Sequence, residues 1–251
     1  MLRVRFSYPA PNTFMRKFKH DLLNKHFQLA VEKDEGIEKQ NSWLTYSQTG
    51  QDLFVIAMLQ GKSKGTFLEL GCQQPKYSNN TFVLEKFFMF TGVSIDINYD
   101  EHWPGNRHLH ISEKSWPLCR PSASWFKADA LTFDYSSLSD YYDYLQVDLD
   151  PAINSFEALK QVCNNKKFAV ITFEHDDWDR KSSNLKIKQH SREFLLSLGY
   201  QLVVGDVGFN DTQSYEDWWA HPDFVDQQVI NAYKQVDGNV KNWQRVLFTT
   251  N

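Results

Sequence analysis

Short apolar runs and amphipathic segments alternate along most of the chain. The apolar runs show little apolar-polar alternation, which is typical of strands buried on both faces of a sheet. They are TFLEL at 66–70, GVSIDI at 92–97, YDYLQVDL at 142–149, FAVITFE at 168–174 and YQLVVGDV at 200–207, with SWFKADA as a further candidate. Helical spacing is found before and between them, at 49–60, 79–90, about 153–163 and near 188–198. This order predicts an α/β fold with a doubly wound, mostly parallel sheet flanked by helices.

The first 46 residues follow a different pattern. Phe14, Phe18, Leu22 and Phe27 are near helical spacing, with lysines between them. Such a helix could lie on a membrane or a phosphate-rich partner, but an amphipathic helix packed on its own domain is the commoner case. We therefore expect an N-terminal helical extension over residues 1–46, followed by one main domain over residues 47–251.

Polar residues stand where the predicted strands end. Glu69 and Gly71 close the first strand, Asp96 lies at the end of the second, and Asp129 follows the SWFKADA segment. Ligands of open α/β sheets bind beyond the carboxyl ends of the strands, where glycine allows a tight turn and an acid accepts from ribose hydroxyls. The order of these residues predicts a nucleoside-type ligand, with Asp129 accepting from an adenine amino group. The plainer alternative is that Asp96 caps the next loop.

The loop after the first strand indicates which kind of nucleoside-containing ligand could bind. A dinucleotide fingerprint needs G-x-G-x-x-G, whereas Gly71 is followed by Cys72, Gln73, Gln74 and Pro75. No G-x-x-x-x-G-K-[ST] loop occurs in the chain. S-adenosylmethionine carries no phosphate but has a sulfonium and an ammonium group, so it suits a loop with few glycines and more acids.

These stretches resemble the FkbM-type branch of class I S-adenosylmethionine-dependent methyltransferases. The resemblance is carried by SQTGQDLFV, by GTFLELGCQQPKYSNNTFVLEKFFMFTGVSIDI and by DYLQVDLDP, over about residues 46 to 175. It implies a seven-stranded Rossmann-like sheet and methylation of a hydroxyl, often on a sugar or a secondary metabolite. The cofactor-binding positions that it implies are Glu69, Gly71, Cys72, Asp96, Ile97, Asp129, Ala130 and Asp148. The chain departs from the family at Gln73, where a second glycine is usual, and at VDLDPA, where V-E-G is more common.

Two acidic clusters follow the fourth and fifth strands. The first is Asp148 and Asp150, and the second begins with Glu174, His175 and Asp176. We expect Asp148 or His175 to act as the base that takes the proton of a hydroxyl acceptor. Asp148, Glu174 and His175 could also hold a divalent metal, Mg²⁺ or Mn²⁺, although acids at these positions could equally cap the following helices.

Substrate contacts are expected beside these clusters, from Asn79, Asp150, Glu174 and Trp218. Trp218 belongs to the aromatic segment YEDWWAHPDF, whose flat rings and acids could bind a sugar. The alternative is that this segment anchors the C-terminal part of the chain to the core.

Two other functions are compatible with the sequence. Asp148-Leu149-Asp150 is a D-x-D sequence, and such a sequence could hold a nucleotide-sugar diphosphate through Mn²⁺ in a glycosyltransferase. The chain could also be a non-catalytic binding module whose N-terminal helix docks a partner.

Composition limits the partners. The net charge is −4, from 31 acidic and 27 basic residues, so no global field favours nucleic acid. Cys72, Cys119 and Cys163 form no C-x-x-C pair, which favours a reducing compartment. No apolar run approaches the roughly 18 residues of a membrane span, and no secretory signal begins the chain. We expect a cytoplasmic protein acting on a small molecule or a glycan.

Overall fold

The computed structural model describes residues 45–73, 75–76, 78–97, 120–179, 182–208 and 210–248. Nearly all of the N-terminal extension predicted over residues 1–46 lies outside these ranges. The main domain predicted for residues 47–251 is described apart from the gaps between the ranges.

Strands and helices alternate through the described part of the chain. The strands are β1 (Thr66–Leu70), β2 (Thr91–Asp96), β3 (Ala123–Lys127), β4 (Tyr141–Val147), β5 (Lys167–Glu174), β6 (Gln201–Gly208), β7 (Glu216–Ala220) and β8 (Lys241–Asn242). The helices are α1 (Gln51–Met58), α2 (Phe82–Phe88), α3 (Ala152–Cys163), α4 (Ser182–Ser197), α5 (Gln227–Tyr233) and α6 (Trp243–Leu247). None of these helices is long and apolar enough to cross a membrane.

All of these strands belong to one sheet, in the order β3-β2-β1-β4-β5-β7-β6-β8. β1 to β5 pair in parallel, and β7 runs antiparallel to both β5 and β6. The predicted α/β class with a mostly parallel sheet is confirmed. Eight strands are found instead of seven, because the two-residue β8 adds to β6 at the edge. The strand order reverses between β1 and β4, which is where doubly wound sheets bind ligands.

Two elements differ from the predicted pattern. α4 begins at Ser182, well before the predicted position near 188. The prediction placed the start too late because the first turns are polar and lack regular apolar spacing. The side chain of Asn184 in this part of α4 donates to the carbonyl oxygen of Asp176 at 3.0 Å, which ties the helix start to the end of β5. The sequence EDWWA forms strand β7, although its pattern predicts no strand there.

The sheet separates two halves of the core. Phe67 of β1 packs into the cluster that contains α1 and α2, whereas its neighbour Leu68 packs into the cluster that contains α3 and α4. Successive side chains of a strand point to opposite faces, so the same short run supplies both halves. This explains why the strand sequences are apolar throughout.

Trp218 lies in the middle of β7 and belongs to the core. The side chain is 0% exposed. Its ring stacks on Phe54 of α1 with centroids 4.6 Å apart, and its Nε1–H donates to Glu216 at 2.8 Å. The prediction that Trp218 contacts substrate is therefore wrong, and the alternative of an aromatic anchor describes its position. A strand paired on both sides leaves no room for a ligand at its centre.

Replacement of Trp218 by alanine should cost about 3 to 5 kcal/mol of unfolding free energy, because it opens a large cavity in the core. Trp178 is 46% exposed, so Trp178→Ala should change stability by no more than about 0.5 kcal/mol. Urea unfolding of both variants followed by circular dichroism measures the difference. Equal effects of the two changes would contradict the assignment of Trp218 to the core.

Candidate functional site

The carboxyl ends of four parallel strands meet at one edge of the sheet. Gly71 follows β1, Asp96 ends β2, Asp148 follows β4 and Glu174 ends β5. The sheet pairing places these strands side by side in the order β2-β1-β4-β5. Residues separated by more than a hundred positions in sequence are thereby brought to the same edge.

Gly71 turns the chain where β1 leaves the sheet. Its φ of 82° is left-handed, and its N–H donates to the carbonyl oxygen of Ile95 at 2.9 Å. A Cβ on this residue would lie 1.7 Å from the carbonyl oxygen of Asp148. The exits of β1 and β4 thus approach so closely that no side chain fits, which explains why glycine is required here.

Asp96 fixes the loop that follows Gly71. Its carboxylate accepts from the backbone N–H of Gln73 at 2.6 Å, so the end of β2 and the loop after β1 are tied together. The next residue, Ile97, is 56% exposed. A carboxylate and an exposed apolar side chain therefore stand together at the end of β2.

Glu69 lies beneath this edge. The side chain is 1% exposed, and it accepts from Ser94 Oγ at 2.6 Å and from Thr81 Oγ1 at 3.0 Å. Burial raises the pKa of Glu69, while the charge of Arg120 and these hydrogen bonds lower it. The expectation that this carboxylate meets a ligand is wrong, because all of its described partners are internal.

Asn79 and Cys72 are also enclosed. The side-chain oxygen of Asn79 accepts from the backbone N–H groups of Thr81 at 3.0 Å and Phe82 at 2.8 Å, at the start of α2. Asn79 therefore caps a helix, and its predicted contact with substrate is not seen. The thiol of Cys72 is buried, and burial raises its pKa, so this residue can meet a ligand only through its backbone.

Asp129 and Ala130 follow β3, which neighbours β2 at this end of the sheet. The Asp129 carboxylate accepts from the N–H of Leu131 at 2.8 Å, which forms a tight turn. Ala130 is buried, and its carbonyl oxygen accepts from the hydroxyl of Tyr135 at 2.7 Å. Asp129 stays half-buried at the same edge as Asp96.

Asp148 and Glu174 form a carboxyl pair between the ends of β4 and β5. Burial raises the pKa of Asp148 to about 7, a hydrogen bond with Glu174 lowers it, and the charges of Asp176 and Asp150 raise it further. Burial and the charge of Asp148 hold the pKa of Glu174 well above its ordinary value. Burial and the mutual repulsion of the two carboxylates therefore favour retention of a proton by the pair at a higher pH than ordinary carboxyl groups allow.

Glu216 is another buried acid, and the sequence predicts for it only a possible sugar contact, as one of the acids of the YEDWWAHPDF segment. It stands opposite Glu174 in the β5–β7 register. It accepts from Thr49 Oγ1 at 2.7 Å and from Gln51 Nε2 at 3.1 Å. Burial raises its pKa to about 8. The sequence does contain a signal for this buried acid. The polar run SQTGQD stands at the start of an otherwise apolar helix, and buried polar groups of such a run need a polar partner inside the protein.

His175 is turned away from the carboxyl pair. The imidazole is 0% exposed, and its Nδ1 accepts from the N–H of Asp177 at 3.2 Å. Its Nε2 lies 3.6 Å from Asp217 Oδ1. An enclosed ring in this position cannot reach an acceptor at the sheet edge, so the alternative of His175 as the base is wrong.

Of the three predicted metal ligands, Asp148 and Glu174 come together in the carboxyl pair, whereas His175 lies against Asp217 instead. Among the described residues, the three-residue group whose ligand atoms lie within 4.8 Å of one another is His175, Asp206 and Asp217. Protein cations already pair with these acids: Arg192 Nε contacts Asp217 at 2.7 Å and Lys188 Nζ contacts Asp206 at 2.7 Å. The prediction that Asp148, Glu174 and His175 hold a metal ion together is therefore wrong.

The two aspartates of the D-x-D sequence lie in different environments. Asp148 is half-buried and hydrogen bonds with Glu174, whereas Asp150 is exposed. The geometry gives no support to these two aspartates as joint ligands of a metal ion.

Comparison with known proteins gives matches in structure alone. No family model and no curated protein sequence matches the chain. A proposed rRNA methylase from Clostridium thermocellum is 14% identical with a TM-score of 0.48, covering 71% of this chain and 99% of its own. The N-methyltransferase NodS from Bradyrhizobium japonicum, in complex with S-adenosyl-L-homocysteine, is 13% identical with a TM-score of 0.42, covering 81% and 100%.

A third match is precorrin-6y C5,15-methyltransferase from Geobacter metallireducens, which is 12% identical with a TM-score of 0.44, covering 71% of this chain and 90% of its own. By their descriptions these neighbours are an rRNA methylase, an N-methyltransferase and a methyltransferase of precorrin-6y. Likeness at such identities and scores does not establish an activity for this chain.

Gly71→Ala should lower the unfolding free energy by more than about 3 kcal/mol, because it combines a left-handed φ with a backbone clash. Gly238 is the matched control. Its φ is 79°, but nothing lies within 4 Å of the position that an added methyl group would take, so Gly238→Ala should cost about 1 kcal/mol. Urea unfolding compares the two variants, and similar losses would contradict the close approach of β1 and β4.

Stability should fall as pH rises from about 5 to 8. An unfolded glutamate loses its proton near pH 4.3, so in this range the folded protein holds protons that the unfolded chain has released. Because the pKa of Glu216 is raised to about 8, its contribution is complete below the unfolded pKa and is lost as pH approaches 8. Glu216→Gln should flatten the slope by up to about 1.4 kcal/mol per pH unit.

Thermal and urea unfolding at several pH values measure this slope. Glu157→Gln on the exposed surface of α3 makes the same chemical change and serves as the reference. An unchanged slope in Glu216→Gln would mean that Glu216 is ionised in the folded protein at neutral pH.

Proposed function

We propose that the protein is an S-adenosylmethionine-dependent methyltransferase that methylates a hydroxyl group of a sugar or a small metabolite. The observation that carries this proposal is the edge at which a glycine turn, a strand-ending acid and a carboxyl pair meet. The resemblance of the sequence to the FkbM-type branch supports the same activity. The doubly wound sheet supports the cofactor class, since its ligands bind at this reversal point of the strand order.

The residues at the edge fit this cofactor. Gly71 removes the side chain that would stand between a ligand and the turn after β1. Asp96 would accept from ribose hydroxyls, and Ile97 would give an apolar surface to the adenine ring. Asp129 would accept from the adenine amino group, with Ala130 beside it. The loop provides no glycine-rich cradle for phosphate, which agrees with a cofactor that carries none.

When bound, the cofactor would supply an electrophilic methyl group whose positively charged sulfur is the leaving group for attack by an oxygen nucleophile. Asp148 would accept the proton of the acceptor hydroxyl. Its pKa of about 7 suits proton transfer near neutral pH, because the carboxylate is present and is more basic than an ordinary aspartate. Glu174 would hold Asp148 in place through its hydrogen bond, and exposed Asp150 would bind further hydroxyls of the acceptor.

Isothermal titration with S-adenosylhomocysteine tests the cofactor assignment. Wild-type protein should bind with a micromolar dissociation constant, and Asp96→Ala should weaken binding by about tenfold or more, since a buried ribose contact is worth about 1.5 to 3 kcal/mol. Asp223→Asn removes an acid at the opposite edge of the sheet and should bind like the wild type. Failure of the wild type to bind would overturn the proposed function, and retained binding in Asp96→Ala would overturn the role of that residue.

A further inference from the structure

Exposed aromatic side chains are few in the described part of the chain. Among its large exposed hydrophobic residues, the aromatic ones are Phe126, Trp178 and Phe224. Phe224 packs on Tyr141 at the beginning of β4, which is the sheet edge opposite the candidate site. Phe126 lies in the edge strand β3 and packs on Phe133. Trp178 alone of these three belongs to the loop that leaves the carboxyl end of β5.

Trp178 is held in a defined orientation. Its indole Nε1–H donates to Asp176 Oδ1 at 2.8 Å. The backbone of Asp176 is in the left-handed region, with φ at 54°, and its carbonyl oxygen accepts from Asn184 of α4 at 3.0 Å. Lys188 of the same helix pairs with Asp177 at 2.5 Å. The nitrogen edge of the ring is therefore fixed while nearly half of the side chain faces solvent.

The same aspartate links Trp178 to the carboxyl pair. Asp176 lies two residues beyond Glu174 at the end of β5. The β4–β5 register sets Val147 beside Phe173, so Asp148 and Glu174 leave neighbouring strands at the same edge, and Asp176 follows in the same loop. The charge of Asp176 also raises the pKa values of Asp148 and Asp150. An ordered aromatic face thus borders the acids at which an acceptor hydroxyl would react.

We propose that Trp178 is the platform of an acceptor subsite, on which a sugar ring stacks and presents a hydroxyl to Asp148. This proposal rests on the proposed methyltransferase function and names its acceptor class as a saccharide or a glycoside. The indole face would bury the C–H face of the ring, and the carboxylates of Asp150 and Asp176 would accept from the remaining hydroxyls. The substrate contact expected of Trp218 is thereby assigned to a tryptophan on the ligand side of the sheet.

The chemistry of the surroundings favours a sugar over a purely apolar acceptor. A wholly apolar molecule would leave the exposed carboxylate of Asp150 without a partner, and desolvation of such a group is costly. A pyranose has an apolar face bordered by hydroxyls, so it can satisfy the ring and the acids together. Trp178 would act as a specificity-determining residue, since it touches the acceptor but takes no part in proton transfer.

The test uses the full chain saturated with S-adenosylhomocysteine and a panel of methyl glycosides of common hexoses and deoxyhexoses. These probes have no aromatic aglycone, so stacking is limited to the sugar ring. Saturation-transfer difference NMR and isothermal titration should detect binding of at least one glycoside. Trp178→Ala should weaken that binding by about tenfold, and Trp178→Phe should retain most of it.

Two controls separate this proposal from the cofactor assignment. Phe224→Ala removes an exposed aromatic side chain at the opposite edge of the sheet and should leave glycoside binding unchanged. S-adenosylhomocysteine should bind equally to all of the variants. Binding of the cofactor product without binding of any glycoside, or equal glycoside affinity in Trp178→Ala, would overturn the acceptor proposal alone. No binding of S-adenosylhomocysteine by the wild type would overturn the proposed function and this inference with it.

Discussion

The close approach of the β1 and β4 exits is the constraint on which the site depends. A Cβ at Gly71 would lie 1.7 Å from the carbonyl oxygen of Asp148, so the two backbones can meet only through a glycine. This contact brings the loop after β1 to Asp96, whose carboxylate accepts from Gln73 at 2.6 Å. It also fixes where Asp148 leaves the sheet. The positions of the ribose-side acid and of the carboxyl pair therefore follow from one backbone contact.

Buried acids in this protein are stabilised in two different ways. Asp217 is paired with Arg192 at 2.7 Å; burial alone would raise its pKa, but the guanidinium and His175 hold it below its ordinary value. In the described part of the chain, no lysine or arginine pairs with Asp148 or Glu174. Burial and their mutual repulsion raise the pKa values of both groups instead. Acids with a cation partner are fixed in their charge, whereas the pair at the edge can gain or lose a proton, which is the property that chemistry requires.

The sequence predicts the fold and the edge well, because both follow from local pattern. Apolar runs separated by helices indicate a parallel sheet, and the strand ends then place Gly71 and Asp96 together. The predictions for Trp218 and His175 fail for a different reason. Both depend on which side of the sheet a residue faces, and this is set by the antiparallel insertion of β7 between β5 and β6. The burial of Glu216 is not predicted either, because its partners Thr49 and Gln51 are more than 160 positions away in sequence.

The raised pKa values of Asp148 and Glu174 matter for the proposed cofactor. Two adjacent carboxylates at a half-buried edge would repel each other strongly, and a pair that retained one proton would carry a single negative charge. A sulfonium is a single positive charge, so the pair and the proposed methyl donor balance when the donor is bound. After transfer of the methyl group to a hydroxyl, Asp148 would hold the proton of the acceptor, so the pair would no longer carry a negative charge. The attraction that favours binding of the donor is thus absent from the product state, so the carboxyl pair would favour product release as well as proton transfer.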